Sequence, residues 1–267
     1  MQPMVTIALR AARQAGEMIV KAADNLDSVQ VSEKSKNDFV TEIDKRSEEM
    51  IIETISKAYP DHHFLSEESG FRGCDSSDVQ WIIDPLDGTT NFVHGIPYVS
   101  VSIACIIKRK LEHAVVVEPF SHDEFTASRG SGTRLNGRRI RVSGKTEKEG
   151  ALYATGIPFN DPSFKNMSEY LNCLYEFAEN SRGVRRMGVA SLDLAYVAAG
   201  RFDVFFEMYL KPWDIAAGAL LVREAGGFVS DFEGGENFLS TGHILASTPK
   251  LFKPSLQTIS KHLSNLK

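Results

Sequence analysis

Cysteine is scarce in this chain. Its three residues, Cys74, Cys105 and Cys173 among 267, are odd in number, far apart and in no Cys-x-x-Cys pair, which excludes a disulfide framework or a zinc ribbon and fits a reducing compartment. Long apolar runs are missing as well. The longest stretch without Asp, Glu, Lys or Arg, residues 88–107, contains Gly88, Thr89, Thr90, His94, Gly95, Pro97 and polar Asn91, Ser100 and Ser102; a membrane span needs about 20 apolar residues. Arg10 and Arg13 break the first apolar stretch, so no signal-peptide core forms, and the expected location is cytoplasmic. An excess of positive charge is lacking too. With 30 Lys+Arg against 35 Asp+Glu, a net charge of -5, neither a general nucleic-acid surface nor an anionic-membrane surface is expected.

The remaining composition is that of an ordinary globular protein. At this length a chain buries roughly 75% of the surface it exposes unfolded. Folding therefore requires no metal staple, and any metal site must be explained by chemistry.

Met4, Ile7, Ala8, Ala11, Ala12, Ala15, Met18 and Ile19 recur at three- and four-residue steps and predict an amphipathic helix. A second helix is expected from about Ile43 to Ala58, with Pro60 just beyond it. The period then shortens. Phe64-Leu65, Trp81 to Ile83, Tyr98 to Ile107, Ala114 to Val117 and Phe125 to Ala127 read as strands, in an antiparallel sheet with helices over one face. The charged segment 143–150 has nothing to bury and marks the boundary between an amino-terminal α+β half, residues 1–145, and a carboxy-terminal α/β half, residues 146–267. In the second half a strand (Ala151 to Thr155), helices (Asn166 to Asn180 and Ala190 to Ala199), a strand (Val204 to Glu207), a helix (Ile215 to Ala225) and a strand (Phe228 to Ser230) alternate.

The most informative segment is Trp81-Ile82-Ile83-Asp84-Pro85-Leu86-Asp87-Gly88-Thr89-Thr90-Asn91. Pro85 disfavours helix at Asp84 and predicts a bend there. Pro-x-Asp-Gly is ordinary turn chemistry, yet a plain hairpin needs only about 2–5 loop residues and here about a dozen separate Ile83 from the next strand. In a turn, carboxylates three positions apart can face one point, with the Leu86 carbonyl as a third oxygen. Oxygen ligands suit a hard divalent cation, Mg²⁺ above all. Gly88 and Thr89 offer backbone N–H groups suited to a phosphate. Two other acidic sites stand out: Glu67 and Glu68 after a strand, where a solvated loop explains them equally well, and Asp214 at a helix start, where an N-cap would suffice.

These three motifs, Glu67-Glu68-Ser69, Asp84-Pro85-Leu86-Asp87-Gly88-Thr89-Thr90-Asn91-Phe92 and Trp213-Asp214-Ile215-Ala216-Ala217-Gly218, in this order and spacing, resemble the inositol monophosphatase family. The likeness runs from the first helix to the last strand. Asn37-Asp38-Phe39-Val40-Thr41 and the run from Leu192 to Gly200 are similar to its bacterial inositol-1-monophosphatase branch. The resemblance implies a layered α/β (α+β) fold, an αβαβα sandwich of the sugar-phosphatase type, and a homodimer. It implies Mg²⁺-dependent, lithium-sensitive hydrolysis of myo-inositol monophosphate and similar small phosphomonoesters. Glu67, Asp84, Asp87 and Asp214 would be side-chain metal ligands and Leu86 a ligand through its carbonyl, for two or three ions, the third with Asp44 nearby. Two carboxylates about 4 Å apart repel by about 4 kcal/mol at an effective dielectric of 20, so such a cluster demands cations.

By the same resemblance Glu67 and Thr89 orient and deprotonate the attacking water, and the Gly88 and Thr89 amides hold the phosphate. Asp87, the backbone near Ala190, Glu207 and Asp214 meet the hydroxyls of the alcohol. Val189 stands where the family commonly has a small hydroxylated residue. Fructose-1,6-bisphosphatases and 3'-phosphoadenosine nucleotide phosphatases share these metal ligands and differ around Ala190 and Glu207. Some bacterial relatives also join RNA polymerase and its elongation factors in antitermination of ribosomal RNA transcription, which would be a protein-binding role on the surface. The glycines at 130, 132 and 137 lack dinucleotide or P-loop spacing. Six of the seven histidines, among them His62, His94 and His113, lack zinc spacing and read as loop or surface residues. Two basic clusters, Lys108–Lys110 with Arg138, Arg139 and Arg141, and Arg182 with Arg185 and Arg186, lack the aromatic interleaving of an RNA platform.

Overall fold

The computed structural model describes residues 1–26, 31–35, 38–73, 77–158, 166–179 and 181–263. Asn37, Cys74 and Asn180 lie outside them. Helix α1 (Pro3–Ala23) begins with Pro3, whose missing N–H costs nothing at that position, and buries Val5, Ala8, Leu9, Ala11, Ala12, Ala15 and Ile19. An antiparallel pair, β1 (Val31–Ser35) and β2 (Asp38–Thr41), leads into α2 (Glu42–Ala58). Thr41 caps α2 by accepting from the Ile43 N–H at 3.1 Å, and Asp44 returns the bond by accepting from the Thr41 N–H at 2.8 Å, the reciprocal box that starts a helix sharply.

Eight strands follow: β3 (His63–Ser66), β4 (Gly70–Arg72), β5 (Val79–Asp87), β6 (Ser100–Ile107), β7 (Lys110–Glu118), β8 (Asp123–Ser128), β9 (Gly132–Leu135) and β10 (Arg138–Arg139), with the short helix α3 (Thr89–Val93) between β5 and β6. Their order across the sheet is β10-β9-β8-β7-β6-β5-β3-β4. All neighbours are antiparallel except β3 and β5, which run parallel. The second sheet, ordered β12-β11-β13-β15-β14, comprises β11 (Leu152–Thr155), β12 (Gly183–Arg185), β13 (Val204–Glu207), β14 (Phe228–Ser230) and β15 (Ile244–Ser247). Around it lie α4 (Met167–Ala178), α5 (Ala190–Ala198), α6 (Pro212–Glu224), α7 (Phe238–Thr241) and α8 (Pro249–Leu263).

Three apolar clusters define the layers. In the first, α1 and α2 pack Ile19, Ile51 and Ile55 against Trp81, Ile83, Val101 and Ile103 on one face of the large sheet. A second joins Ile82, Ala104, Val116 and Phe125 on the opposite face to Leu192, Leu194, Ile215 and Leu220 of α5 and α6, and continues into Phe205 and Ala246 of the small sheet. The third sets Tyr170 and Phe177 of α4 and Leu251 and Ile259 of α8 against Tyr153, Val204 and Phe206. The stack is thus helix, sheet, helix, sheet, helix, the αβαβα sandwich expected.

Helices cover both faces of the large sheet, where one face was expected, because α5 and α6 of the second half supply the other cover. Periodicity cannot reveal a cover more than a hundred residues away. Helix α8 escaped the sequence reading since Pro254 sits inside it. A proline so near the start removes one ladder bond, while Leu251, Ile259 and Leu263 still bury one face. His113 lies within β7 rather than in a loop.

Candidate functional site

Strand β5 runs through the motif instead of bending away at Asp84. Its register against β6 shifts between Asp84, opposite Ser102, and Asp87, opposite Ser100, so three steps on β5 face two on β6. In a regular strand residues three apart point to opposite faces. The extra residue is a bulge that cancels this and turns Asp84 and Asp87 toward the same side. Pro85 fits because a bulge tolerates a missing donor. The Asp84 carboxylate folds back to accept the Leu86 N–H at 3.1 Å through Oδ1. Gly88, at φ +98°, then turns the chain into α3, and a Cβ there would stand 2.7 Å from Cγ2 of the buried Val189. Both the backbone angle and the close neighbour require glycine.

The first turns of α2 lie against this segment and carry a buried polar stripe of Thr41, Asp44, Ser47 and Glu48, which gives way to Ile51 and Ile55. The Thr89 hydroxyl donates to Asp44 Oδ1 at 2.9 Å and lies 3.2 Å from the Leu86 carbonyl oxygen. Ser47 donates to the Pro85 carbonyl at 2.8 Å. The Glu68 N–H donates to Glu48 Oε2 at 2.8 Å, and the Glu67 N–H to the Ile83 carbonyl at 3.2 Å. Glu67 therefore leaves the end of β3 held between β5 and α2.

From the other side come α5, β13 and α6. The Ser191 N–H and hydroxyl both donate to Asp87 Oδ2, at 2.8 and 2.7 Å, and the Ala190 backbone adds a weaker contact. Asp214 is the third residue of α6, not its N-cap: its Oδ2 accepts from the Lys211 N–H at 2.7 Å. The helix begins at Pro212, three residues before the expected Ile215, since proline suits a first turn. Glu207 ends β13, half-buried.

The acids lie in one electric field. Burial, then the charges of Glu67, Asp87 and Asp214, push Asp84 well above the usual carboxylate range. Burial likewise raises Asp214, with Asp87, Glu67 and Glu207 adding to it. Asp87 is raised by burial to about 6, held down by its bonds to Ser191. Glu207 reaches about 8, by burial first and then the charge of Asp193. Burial also raises Asp44, against its bonds to Thr41 and Thr89. Three aspartates from β5 and α6 that resist ionising without countercharge, with the charge of Glu67 acting on Asp84 and Asp214, form a donor set suited to a hard cation. Among the described residues no three or more His, Cys, Asp or Glu side chains stand close enough to form a finished cage. The fit to a small divalent ion rests on the chemistry of the donors and on the Leu86 carbonyl among them.

The structure brings Glu67, Asp84, Leu86, Asp87, Gly88, Thr89 and Asp44 together on the first half, and Ala190, Glu207 and Asp214 opposite. Val189 packs on Gly88 and is buried, so it offers no surface to a ligand. Sequence reasoning missed Ser47, Glu48, Ser191 and Asp193. Asp193 is buried, accepts the Tyr98 hydroxyl at 2.8 Å on Oδ1 and has no partner on Oδ2 among the described residues. Buried polar residues on a helix face that should be apolar were the one available signal. Of the basic clusters, Arg186 faces the Glu207 side of the site, where its charge opposes the upward shifts of Asp193 and Glu207. Lys110 and Arg138 sit on β7 and β10, with β8 and β9 between them.

Comparison with known proteins gives one answer over nearly the whole chain. A sequence model described as the inositol monophosphatase family matches residues 1–264. The Nus factor SuhB of Pseudomonas aeruginosa is 55% identical over 265 residues, covering 98% of both chains. Among solved structures, the extragenic suppressor protein suhB from Bartonella henselae superposes with a TM-score of 0.94 at 40% identity, covering 98% of this chain and all of that one. The inositol monophosphatase from Anabaena (Nostoc) superposes with a TM-score of 0.86 at 33% identity, covering 97% of each. No helix among the described residues is long and apolar enough to cross a membrane.

Proposed function

This chain belongs to the inositol monophosphatase family and is a metal-dependent phosphoric monoester hydrolase, and we propose that it hydrolyses myo-inositol monophosphate and similar small polyol phosphates with Mg²⁺. The observation that carries this reading is the convergence of Glu67, Asp84, Asp87 and Asp214 from three separate elements into one field, beside the Leu86 carbonyl. These residues would hold two or three ions. Bound there, the cations supply Lewis acidity that lowers the pKa of water and offsets the charge on the departing alcohol oxygen.

The chain's own groups do the rest. Thr89 gives its single proton to Asp44, so its oxygen is left as an acceptor that, with Glu67, orients the attacking water. Asp44 thereby acts through Thr89, and would also stand near a third ion. The Gly88 and Thr89 amides hold the phosphate in line, and Asp87, the Ala190 backbone, Glu207 and Asp214 meet the alcohol hydroxyls. A substrate panel with Mg²⁺ tests this: preference for fructose 1,6-bisphosphate or a 3'-phosphoadenosine nucleotide over inositol phosphate would reassign the substrate. Light scattering of the purified protein tests the expected homodimer, and fractionation the cytoplasmic location.

A second reading is supported by the name of the 55% identical relative, a Nus factor. On this reading the surface also binds RNA polymerase and antitermination factors, a protein contact rather than a nucleic-acid one, in keeping with the net charge of -5. A pull-down with intact protein and Asp87→Asn decides it. Retention of transcription factors by a hydrolysis-dead variant supports two separable roles; no retention by either removes the second.

A further inference from the structure

In each of the three aspartates one carboxylate oxygen is already tied to the protein. Asp84 Oδ1 accepts the Leu86 N–H, Asp214 Oδ2 the Lys211 N–H, and Asp87 Oδ2 both donors of Ser191. The first two ties are backbone bonds made within three residues. The third spans 104 residues, joins β5 to α5 and adds a side-chain hydroxyl to a backbone N–H.

Ser191 has only one hydroxyl proton, and Asp87 receives it. The 2.7 Å contact between Ser191 Oγ and Ser100 Oγ is therefore a bond donated by Ser100. Both serines are buried, and Ser100 stands opposite Asp87 in the β5–β6 register. Ser100 donates to Ser191, Ser191 to Asp87: a directed chain of direct contacts.

We propose that Ser191, backed by Ser100, is a positioning residue that holds Asp87 to one-oxygen contact with a cation and so favours a small octahedral ion, Mg²⁺, over Ca²⁺. The reason is geometric. Mg²⁺ demands near-ideal octahedral ligands at about 2.1 Å, whereas Ca²⁺ takes 6–8 oxygens and readily accepts a carboxylate through both oxygens. An Asp87 whose second oxygen is occupied by two donors cannot rotate to offer both. This inference rests on the proposed role of Asp87 as a metal ligand.

The test is calorimetric titration of the full chain with Mg²⁺ and, separately, Ca²⁺, without substrate, for wild type, Ser191→Ala, Ser191→Thr, Ser100→Ala, the double serine-to-alanine variant and Asp87→Asn, each with a metal-free thermal melt. Ser191→Ala is expected to lose roughly tenfold in Mg²⁺ affinity, the size usual when the partner orienting a ligand is removed. Its Ca²⁺ affinity falls by no more than about threefold, because an oxygen held by the one remaining N–H can turn to join a larger ion. Ser191→Thr restores the Mg²⁺ preference. Ser100→Ala shifts it in the same direction as Ser191→Ala but by less, and the double variant is no worse than Ser191→Ala, since Ser100 acts through Ser191.

An unchanged ratio of Mg²⁺ to Ca²⁺ affinity in Ser191→Ala overturns the inference. If the variants at 191 melt far below wild type, Ser100→Ala decides alone, and an unchanged ratio there overturns it equally. Loss of Mg²⁺ binding in Asp87→Asn with an unchanged ratio in the serine variants sinks this inference only. Wild-type Mg²⁺ binding in Asp87→Asn sinks the ligand role of Asp87 itself.

Discussion

The carboxyl group of Glu207 rests on the Cα of Gly156 so closely that a methyl group at position 156 would overlap both of its oxygens. The Gly156 carbonyl in turn accepts the Tyr170 hydroxyl from α4, and Thr155 donates to the Phe206 carbonyl at 2.6 Å. The acid expected to meet the substrate's hydroxyls is thus set by the absence of a side chain just past the end of the neighbouring strand β11. Gly156→Ala should raise KM for inositol phosphate about tenfold, the loss of one good hydrogen bond, and leave Mg²⁺ affinity within about twofold. An unchanged KM would show that Glu207 does not touch the alcohol.

Asp84 is the one fully buried acid among the proposed ligands and is opposed by the charges of Glu67, Asp87 and Asp214. Replacing it with Asn removes a repelled charge without changing shape. The metal-free protein should gain about 1–2 kcal/mol, roughly 2–5 °C in Tm, while turnover falls roughly a hundredfold or more. A melt in EDTA beside an activity assay checks both; an Asn variant that loses stability would refute the repulsion.

The stability of the metal-free protein should depend on pH with a definite sign. Asp87 at about 6 and Glu207 at about 8 both lie above their unfolded values of about 4. The folded state then holds more protons than the unfolded one, so their contribution is complete below about pH 4 and is lost as pH rises through 6 and then 8. Melts in EDTA at pH 5.5 and 8.5 should fall with pH, and Mg²⁺ should reduce the fall. A flat profile in EDTA would contradict the shared field.

Thr89→Ala should cut kcat by about 10²–10⁴, the range of positioned proton-transfer groups. Thr89 is half-buried and its hydroxyl ties only to Asp44 and Leu86, so the Tm should stay within about 3 °C. A loss confined to KM would instead assign Thr89 to binding.

Far from the site, Glu176 of α4 meets Lys261 at 2.6 Å, His262 at 2.8 Å and Thr258 at 3.0 Å on α8, and its carboxyl is held down at about 2, by Lys261 first. Its stabilising share is present above about pH 4.5 and lost as pH falls through 2. Solvent screening limits it to roughly 0.5–1 kcal/mol. Glu176→Gln should therefore lower Tm slightly at pH 7, match wild type near pH 2 and leave turnover alone. A difference that persists at pH 2 would point to packing instead.

The layer architecture was legible in the sequence because α1, α2 and the alternating strand Val99 to Ile103 declare their period. The acids were legible because Asp84, Asp87 and Asp214 sit in motifs. What was not legible arises where separate segments meet. The bulge that turns Asp84 and Asp87 to one side is a property of β5 paired with β6, where the sequence by itself predicts a turn. Ser191 and Ser100 are ordinary residues until α5 docks beside β6. Glu48 reads as one more charge on a helix, and only the docking of α2 makes it the acceptor for Glu68.

Helices α5 and α6, held between two sheets, have almost no wet surface, and this bears on how the chain is made. The large sheet is complete once Arg139 has been synthesised, yet the helices that cover its inner face end at Ala198 and Glu224. A ribosome-bound chain therefore carries that face bare for some eighty further residues. Native packing of the amino-terminal part must wait for the carboxy-terminal part to emerge, a window in which a nascent-chain chaperone would find its substrate.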